Sequence, residues 1–418
     1  MNKTKALGAA ACALLGAPAI ATAADAKWDI DTAALYYAES GRVSLFEPVV
    51  SANRNWDERS LGAKLTLDTL TGPTPNGATP SSTPRTVTGP SGSTSYTTQP
   101  GKIPLDDTFK DTRVALALDY SAPLFDDWKA AYGLNVSTEY DYRSLGGSLR
   151  VQRDFFEHNT TLALGGSFAA DTVDPVGGAP DPLSVKSNSG GDDDGHGGSS
   201  KSKSTFDLLA GVTQVLDPKS LLRVNLIYSH ASGYLTDPYK ILSVVGSDGE
   251  PLRYVYEKRP GTRTKTGVYA EYMRALGTDT LRASYRFQTD DWGIDSHTVE
   301  LDYRWRFSAA NYLEPQVRYY RQTAADFYHV ALYDGQETQV QDASADYRLG
   351  GMDTWTGGLQ FGHTFQGGSD LTLRLSYYVE TPDGKGVPAA AADGLSKFGK
   401  LVPDTKAVMA TVGYRFSL

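Results

Sequence analysis

His230 and Ser232 are the nearest this sequence comes to a nucleophile with its base. On a strand, residues two apart project from the same face, so the imidazole could take the hydroxyl proton as that oxygen attacks an ester carbonyl. Leu222, Val224, Leu226 and Tyr228 share that face, which makes it an outward one, and no third residue that would orient the histidine stands at a matching position. The competing reading is a polar rim where a strand leaves the bilayer, followed by the turn residues Gly233 and Asp237-Pro238.

A second chemistry is ionic. Arg113, Asp119, Arg282, Arg286, Glu300, Asp302, Arg304, Arg306, Arg318 and Arg374 all fall on the strand face opposite the apolar one, as do Asp29, Asp31, Lys64, Asp68, Arg150 and Arg223. Inside a closed barrel they would form a charged constriction that selects permeating solutes or seats a periplasmic protein. Equally, opposed charges could pair across a plugged lumen and hold it rigid. A third candidate is Asp192-Asp193-Asp194-Gly195-His196, where carboxylates could take calcium and the histidine could add a transition-metal ligand. It lacks EF-hand spacing and lies in a Gly/Ser-rich stretch that reads as a hydrophilic loop, so no metal site is expected. The connection near 72–110, rich in Pro, Thr, Ser and Gly, is long for an ordinary loop and is expected to fold at a pore mouth. No phosphate-cradling glycine loop, dinucleotide fingerprint or metalloprotease helix is present, and no cofactor is expected.

The elements that would position these residues are strands. Val408, Ala410, Val412, Tyr414, Phe416 and Leu418 alternate with Met409, Thr411, Gly413, Arg415 and Ser417; His297, Val299, Leu301, Tyr303, Trp305 and Phe307 alternate with charged and hydroxyl residues. A helical period would scatter those charges around a cylinder. Alternation predicts about 16 strands, near 28–38, 42–54, 60–71, 111–122, 129–140, 145–153, 160–171, 204–216, 221–232, 264–276, 280–290, 296–307, 312–322, 353–364, 370–380 and 406–418. The second is the least regular, with Glu47 and Pro48 at its middle. Short turns alternate with long connections near 72–110, 172–203, 233–263, 323–352 and 381–405, the pattern of periplasmic turns and outer loops. Hydrocarbon cannot hydrogen-bond a strand edge, so such a sheet must close. Tyr36, Tyr140, Tyr142, Tyr303, Trp305, Tyr377 and Tyr414 are candidates for the interfacial girdles. A soluble β-sandwich or propeller is the rival architecture.

Composition agrees. Forty Lys+Arg against 49 Asp+Glu give a net charge of -9, the opposite of a nucleic-acid footprint. The lone cysteine, Cys12, excludes a disulfide scaffold and any cysteine-based metal site. Lys3 and Lys5, an apolar run from Ala6 to Ile20 and the ending Ala21-Thr22-Ala23 predict a signal peptide over 1–23, with the barrel over 24–418.

Asp68-Thr69-Leu70-Thr71-Gly72-Pro73-Thr74-Pro75-Asn76-Gly77-Ala78 resembles the signature of an uncharacterised bacterial outer-membrane barrel family, a domain of unknown function. So do Pro104-Leu105-Asp106-Asp107-Thr108-Phe109 with Asp111 and Arg113, His230-Ala231-Ser232-Gly233-Tyr234-Leu235-Thr236-Asp237-Pro238-Tyr239-Lys240, Glu257-Lys258-Arg259-Pro260, and Leu313-Glu314-Pro315 with Arg318-Tyr319-Tyr320. The resemblance covers nearly the whole mature chain and brings no established activity. Members are often encoded beside a thioredoxin-like protein, a small lipoprotein and a flavin transferase, which implies an envelope redox system handling covalent flavin. The His230/Ser232 spacing is similar to the dyad of outer-membrane phospholipase, an enzyme with fewer strands.

The expectation is therefore an all-β, transmembrane antiparallel barrel in the outer membrane of a double-membrane bacterium. Its function is a pore or scaffold, with a small lipoprotein or flavin-bearing periplasmic protein as partner. An esterase or phospholipase using Ser232 and His230 is the alternative.

Overall fold

The structure is a computed structural model that describes residues 27–88, 95–106, 110–125, 127–186 and 200–418. The signal peptide and the Asp192–His196 loop lie outside the described residues. Sixteen strands form one closed antiparallel barrel in chain order. They are β1 (Trp28–Glu39), β2 (Ser44–Trp56), β3 (Arg59–Thr71), β4 (Lys110–Phe125), β5 (Trp128–Thr138), β6 (Tyr142–Phe155), β7 (Thr160–Val173) and β8 (Lys201–Asp217). The second half comprises β9 (Ser220–Gly233), β10 (Thr262–Leu276), β11 (Asp279–Asp290), β12 (Asp295–Arg306), β13 (Asn311–Gln322), β14 (Met352–Thr364), β15 (Asp370–Pro382) and β16 (Thr405–Ser417). Closure runs from Asp29↔Ser417 to Glu39↔Ala407, so no edge is left unpaired where water is absent.

Alternation sets the two faces. Leu375 (62% exposed) and Leu164 (61%) stand on the outer face, where lipid replaces water. The barrel is thus an integral outer-membrane protein, with an apolar belt outside and ionic residues inside. Leu375→Arg is expected to destabilise it by about 2–4 kcal/mol, the cost of a cation near the bilayer midplane; urea unfolding in lipid vesicles measures this, and a loss below about 0.5 kcal/mol would contradict the lipid-facing assignment.

Prolines leave local marks without moving the register. Between β2 and β3 the pairing passes from Phe46↔Thr69 to Val49↔Thr66, omitting Glu47 and Pro48 while keeping the same offset. A proline has no amide hydrogen to give its neighbour, which explains the irregular pattern there. Pro315 interrupts the β12–β13 ladder in the same way, between Asp302↔Gln316 and Trp305↔Leu313. One girdle assignment is corrected: Tyr142 faces inward, where Lys203 Nζ donates to its hydroxyl at 2.9 Å. On β6 the outer face belongs to Leu145 and Leu149, and Tyr142 has the other parity.

The connections at one end are two to five residues long, as periplasmic turns are. At the other end three connections are short turns, and the five long ones build a cap with its own core. Ile241–Val245 and Pro251–Tyr256 form a hairpin, and Leu332–Tyr333 adds to it in parallel. Leu242, Val244, Val255, Leu332 and Ala343 there have no exposed surface. The 72–106 connection docks on this sheet, with Ile241 N–H donating to Asn76 O at 2.9 Å and Thr79 N–H to Ser243 Oγ at 2.9 Å. From the 174–200 connection, Lys186 N–H donates to Tyr254 O at 2.8 Å. The last long connection contributes the short helix Ala392–Ser396, whose Leu395 is fully buried beside Val245 and Ala331. Two glycines make that contact close enough. Gly249 has a φ of 76°, and a Cβ on it would lie 2.4 Å from the Gly394 carbonyl carbon.

Candidate functional site

The site is the lumen together with the cap over its outer mouth. The cap is anchored around the rim. Tyr239 OH donates to Asp141 Oδ2 at 2.6 Å, in the β5–β6 turn. Across the mouth, the Arg42 guanidinium of the β1–β2 turn lies 4.7 Å from the Tyr347 ring centroid. Gln322 Nε2, at the outer end of β13, donates to Gly350 O at 2.7 Å. Segments rooted on different strands therefore meet over the lumen.

They meet in an ionic cluster. Asp237, Glu257, Arg259 and Asp346 are all nearly or fully buried. Arg259 Nε stands 2.6 Å from Glu257 Oε1, and its Nη2 stands 2.8 Å from Asp346 Oδ2. Arg348 Nε donates to Asp346 Oδ1 at 2.8 Å, and its Nη2 is 3.3 Å from Asp237 Oδ2. Ser344 Oγ donates to Glu257 Oε2 at 2.5 Å, and Asp237 N–H donates to Glu257 Oε1 at 2.6 Å. Burial alone would raise the Asp346 carboxyl, but the Arg348 and Arg259 guanidiniums, with Lys240, outweigh it and hold it well below the usual carboxylate range. The cluster is satisfied from many sides, which buried charge requires.

Below the cap, the wall residues expected from alternation do face inward, and most of those named are paired. Arg113 Nε donates to Asp68 Oδ2 at 2.5 Å. Arg282 Nε donates to Asp302 Oδ2 at 3.0 Å, and its Nη2 is 3.5 Å from Glu300 Oε1. Gln316 Nε2 also donates to Glu300, at 2.9 Å. Arg304 Nε donates to Glu314 Oε2 at 2.5 Å, and Arg374 Nη2 lies 3.6 Å from the other oxygen of Glu314. Arg306 is exposed near the periplasmic end, 5.9 Å from the Tyr312 ring centroid. Asp119 is exposed to the lumen on β4. Arg223 stands 3.4 Å from Glu271.

Beneath the cap, the wall arginines Arg318 and Arg286 have no carboxylate of their own among the described residues, and Lys265 beside them shares its own. Arg318 is exposed opposite Glu300 in register, yet that carboxylate belongs to Arg282 and Gln316. Arg286 rests 5.4 Å from the Tyr269 ring centroid, with its buried Nε unpartnered. Lys265 lies opposite Asp290 in register and is held by the charges of Asp290 and Asp207, although Asp290 also accepts from Arg263 Nε at 2.8 Å. All three stand in the outer halves of their strands, just under the cap. There a cavity of about 170 Å³ separates cap from wall, with Lys265, Gln288, Ser296 and Tyr320 on the wall side and Arg259 and Arg348 on the cap side.

His230 and Ser232 are on the outer side of β9, and each is bonded across to a neighbouring strand. His230 Nδ1 lies 3.0 Å from Thr264 Oγ1, and Ser232 Oγ lies 3.1 Å from Ser204 Oγ. The structure does not bring them together as nucleophile and base. Sequence reasoning missed Lys265 and the whole cap cluster. Lys265 precedes the apolar residues of its strand, and the cluster is spread over connections read as loops. The run Ile241-Leu242-Ser243-Val244-Val245 between turn residues was the available signal for a folded cap.

A family model described as "Protein of unknown function (DUF3570)" matches residues 4–416. None of the curated proteins matches the chain. Solved structures similar to it include a ferric enterobactin receptor variant from Pseudomonas aeruginosa, 9% identical with a TM-score of 0.43, covering 88% of this chain and 55% of that one. The outer membrane protein opdK from Pseudomonas aeruginosa is 11% identical with a TM-score of 0.41, covering 94% and 99%. CdiB from Acinetobacter baumannii is 8% identical with a TM-score of 0.46, covering 93% and 60%. The chain thus spans about half the length of the receptor it matches.

Proposed function

The chain belongs to this family of proteins of unknown function, and from that premise we propose that it is an outer-membrane conduit for small anionic solutes, shut at its outer mouth by the folded cap. The observation that carries the reading is the two wall arginines beneath the cap, Arg286 and Arg318, which have no carboxylate of their own among the described residues. In the periplasmic half of the same wall, Arg282, Arg304 and Arg374 each reach a carboxylate. Fixed cations in a pore raise the local concentration of anions and repel cations.

Reversal potentials across planar bilayers in a KCl gradient test this. Wild-type openings are expected to favour chloride over potassium, and Arg318→Ala is expected to reduce that preference roughly twofold or more. Cation-selective openings, or a preference unmoved by Arg318→Ala together with Arg286→Ala, would sink the reading. Ser232→Ala serves as the companion variant: it should leave conductance unchanged, and loss of ester hydrolysis on that substitution would instead favour the esterase alternative. A small lipoprotein or flavin-bearing partner at the periplasmic end is part of the proposal as an accessory. Co-purification from native lipid tests it, and a clean barrel without flavin would remove it.

A further inference from the structure

We propose that the outer surface of the barrel, at its periplasmic end, holds the headgroup of an anionic phospholipid at Arg153, between Trp128 and Phe155. This site faces lipid and not the lumen, so it is independent of what the pore passes.

On β6, Arg153 has the parity of Leu145 and Leu149, which places it on the outer face. It stands just before the strand's periplasmic end at Phe155, in register between Trp128 of β5 and Leu162 of β7. Its guanidinium lies 5.6 Å from the Trp128 ring centroid and 4.8 Å from that of Phe155. Its buried Nε has no hydrogen-bond partner, and no carboxylate pairs with it among the described residues. Asp154, its neighbour in the chain, has the opposite parity and accepts from Thr161 Oγ1 at 2.5 Å. A guanidinium cannot shed its proton, so at an interface its unmet N–H groups call for an acceptor. The surroundings select a lipid. Phe125 is 65% exposed and Phe156 77% exposed, and the Phe125 ring lies 5.8 Å from that of Trp128. Phe156, Glu157 and His158 have φ of 52°, 55° and 66°, a left-handed run that bulky residues seldom adopt. Toward the midplane the outer face continues with Leu149, Tyr132 and Leu162, along which acyl chains would lie. The leaflet at this end of an outer membrane is made of phospholipid, whose phosphate oxygens suit a guanidinium fork. A headgroup without an ammonium of its own is preferred, since a second cation would be repelled. Arg274 supplies the contrast. It is also outward at this end, but Asp217 Oδ2 lies 3.8 Å away, and its Nη1 donates to Ser220 Oγ at 2.9 Å.

Native mass spectrometry of the purified full chain in detergent, titrated separately with phosphatidylglycerol and phosphatidylethanolamine, counts bound lipids directly. Phosphatidylglycerol is expected to bind several-fold more tightly than phosphatidylethanolamine. Arg153→Met should weaken its tightest site about fivefold or more, the loss of a charge-assisted contact with the phosphate. Arg274→Met, which removes a cation already paired, should match wild type. Folding of each variant is checked by its shift in mobility on boiling. Equal affinity for the two lipids would overturn the proposal, as would wild-type affinity for phosphatidylglycerol in folded Arg153→Met. A loss in Arg274→Met as large as that in Arg153→Met would overturn it too, by showing attraction to the whole rim and no seat at Arg153.

Discussion

Replacing residues 241–256 with a short glycine–serine connector is expected to raise single-channel conductance on the order of tenfold, because a barrel of 16 strands is wide enough for an aqueous channel once nothing covers it. That hairpin is the centre of the cap. Four other connections dock on it, through Asn76 and Thr79, through Lys186, through the Leu332–Tyr333 strand and through Leu395. Without it, Leu395, Ala331 and Ala343 lose the surface that buries them. The barrel does not depend on the hairpin, since every wall strand pairs with two wall neighbours from β1 round to β16. The altered protein should therefore still change mobility on boiling. A folded variant whose conductance equals that of wild type would show that the cap does not close the mouth.

The second large effect is expected from Asp346→Ala. The change leaves Arg259 and Arg348 without the carboxylate they share, and an uncompensated buried charge costs about 3–5 kcal/mol. Much of the cap's local stability would go, so amide exchange in Ile241–Val245 and Leu332–Tyr333 should speed up while the barrel strands stay protected. The double change Asp346→Leu with Arg348→Met should recover part of the loss, since an apolar pair has no charge to desolvate. Exchange rates in Asp346→Ala equal to wild type would refute the role of the cluster. The pH dependence has a definite sign. The Asp346 carboxyl is held below its ordinary range in the folded cap. Its contribution is therefore complete above the unfolded value, about pH 4, and is lost as the pH falls through the lower folded value. Cap opening by this group is expected only in strong acid, so Asp346 should contribute no change in conductance from about pH 5 upward. A transition near neutrality would point to a different group.

Much of the barrel was legible because a strand in lipid has few options. Leu371, Leu373, Leu375 and Tyr377 must face hydrocarbon, so Thr372, Arg374 and Ser376 must face the lumen, and a one-residue slip would exchange the two sets. The same constraint located β16 and β12 from their aromatic alternation. Tyr142 escaped it because a tyrosine suits both an interface and a polar interior, and only the neighbours Leu145 and Leu149 decide which side it takes. Among the candidate site residues, alternation assigned a side but no partner. Arg318 and Arg304 look alike in the sequence, yet Glu314 belongs to Arg304 and Arg374 while Glu300 belongs to Arg282. Which carboxylate an arginine reaches depends on distances across neighbouring strands and on competing donors, and neither is written in the spacing of residues along one strand.

Residue patterning alone specified a closed sheet of about sixteen strands, the side most residues take and the end at which the long connections lie, because period-two alternation in a medium without hydrogen-bond partners admits few arrangements. Tertiary contacts alone fold those connections into a cap, bring Asp237, Glu257, Arg259, Asp346 and Arg348 together within it, and leave a cavity between it and the wall. Those contacts include ones between residues far apart in the chain, such as Asp237 and Arg348, 111 positions from each other. They follow from which loops bury one another's apolar surface, and no local pattern carries that information.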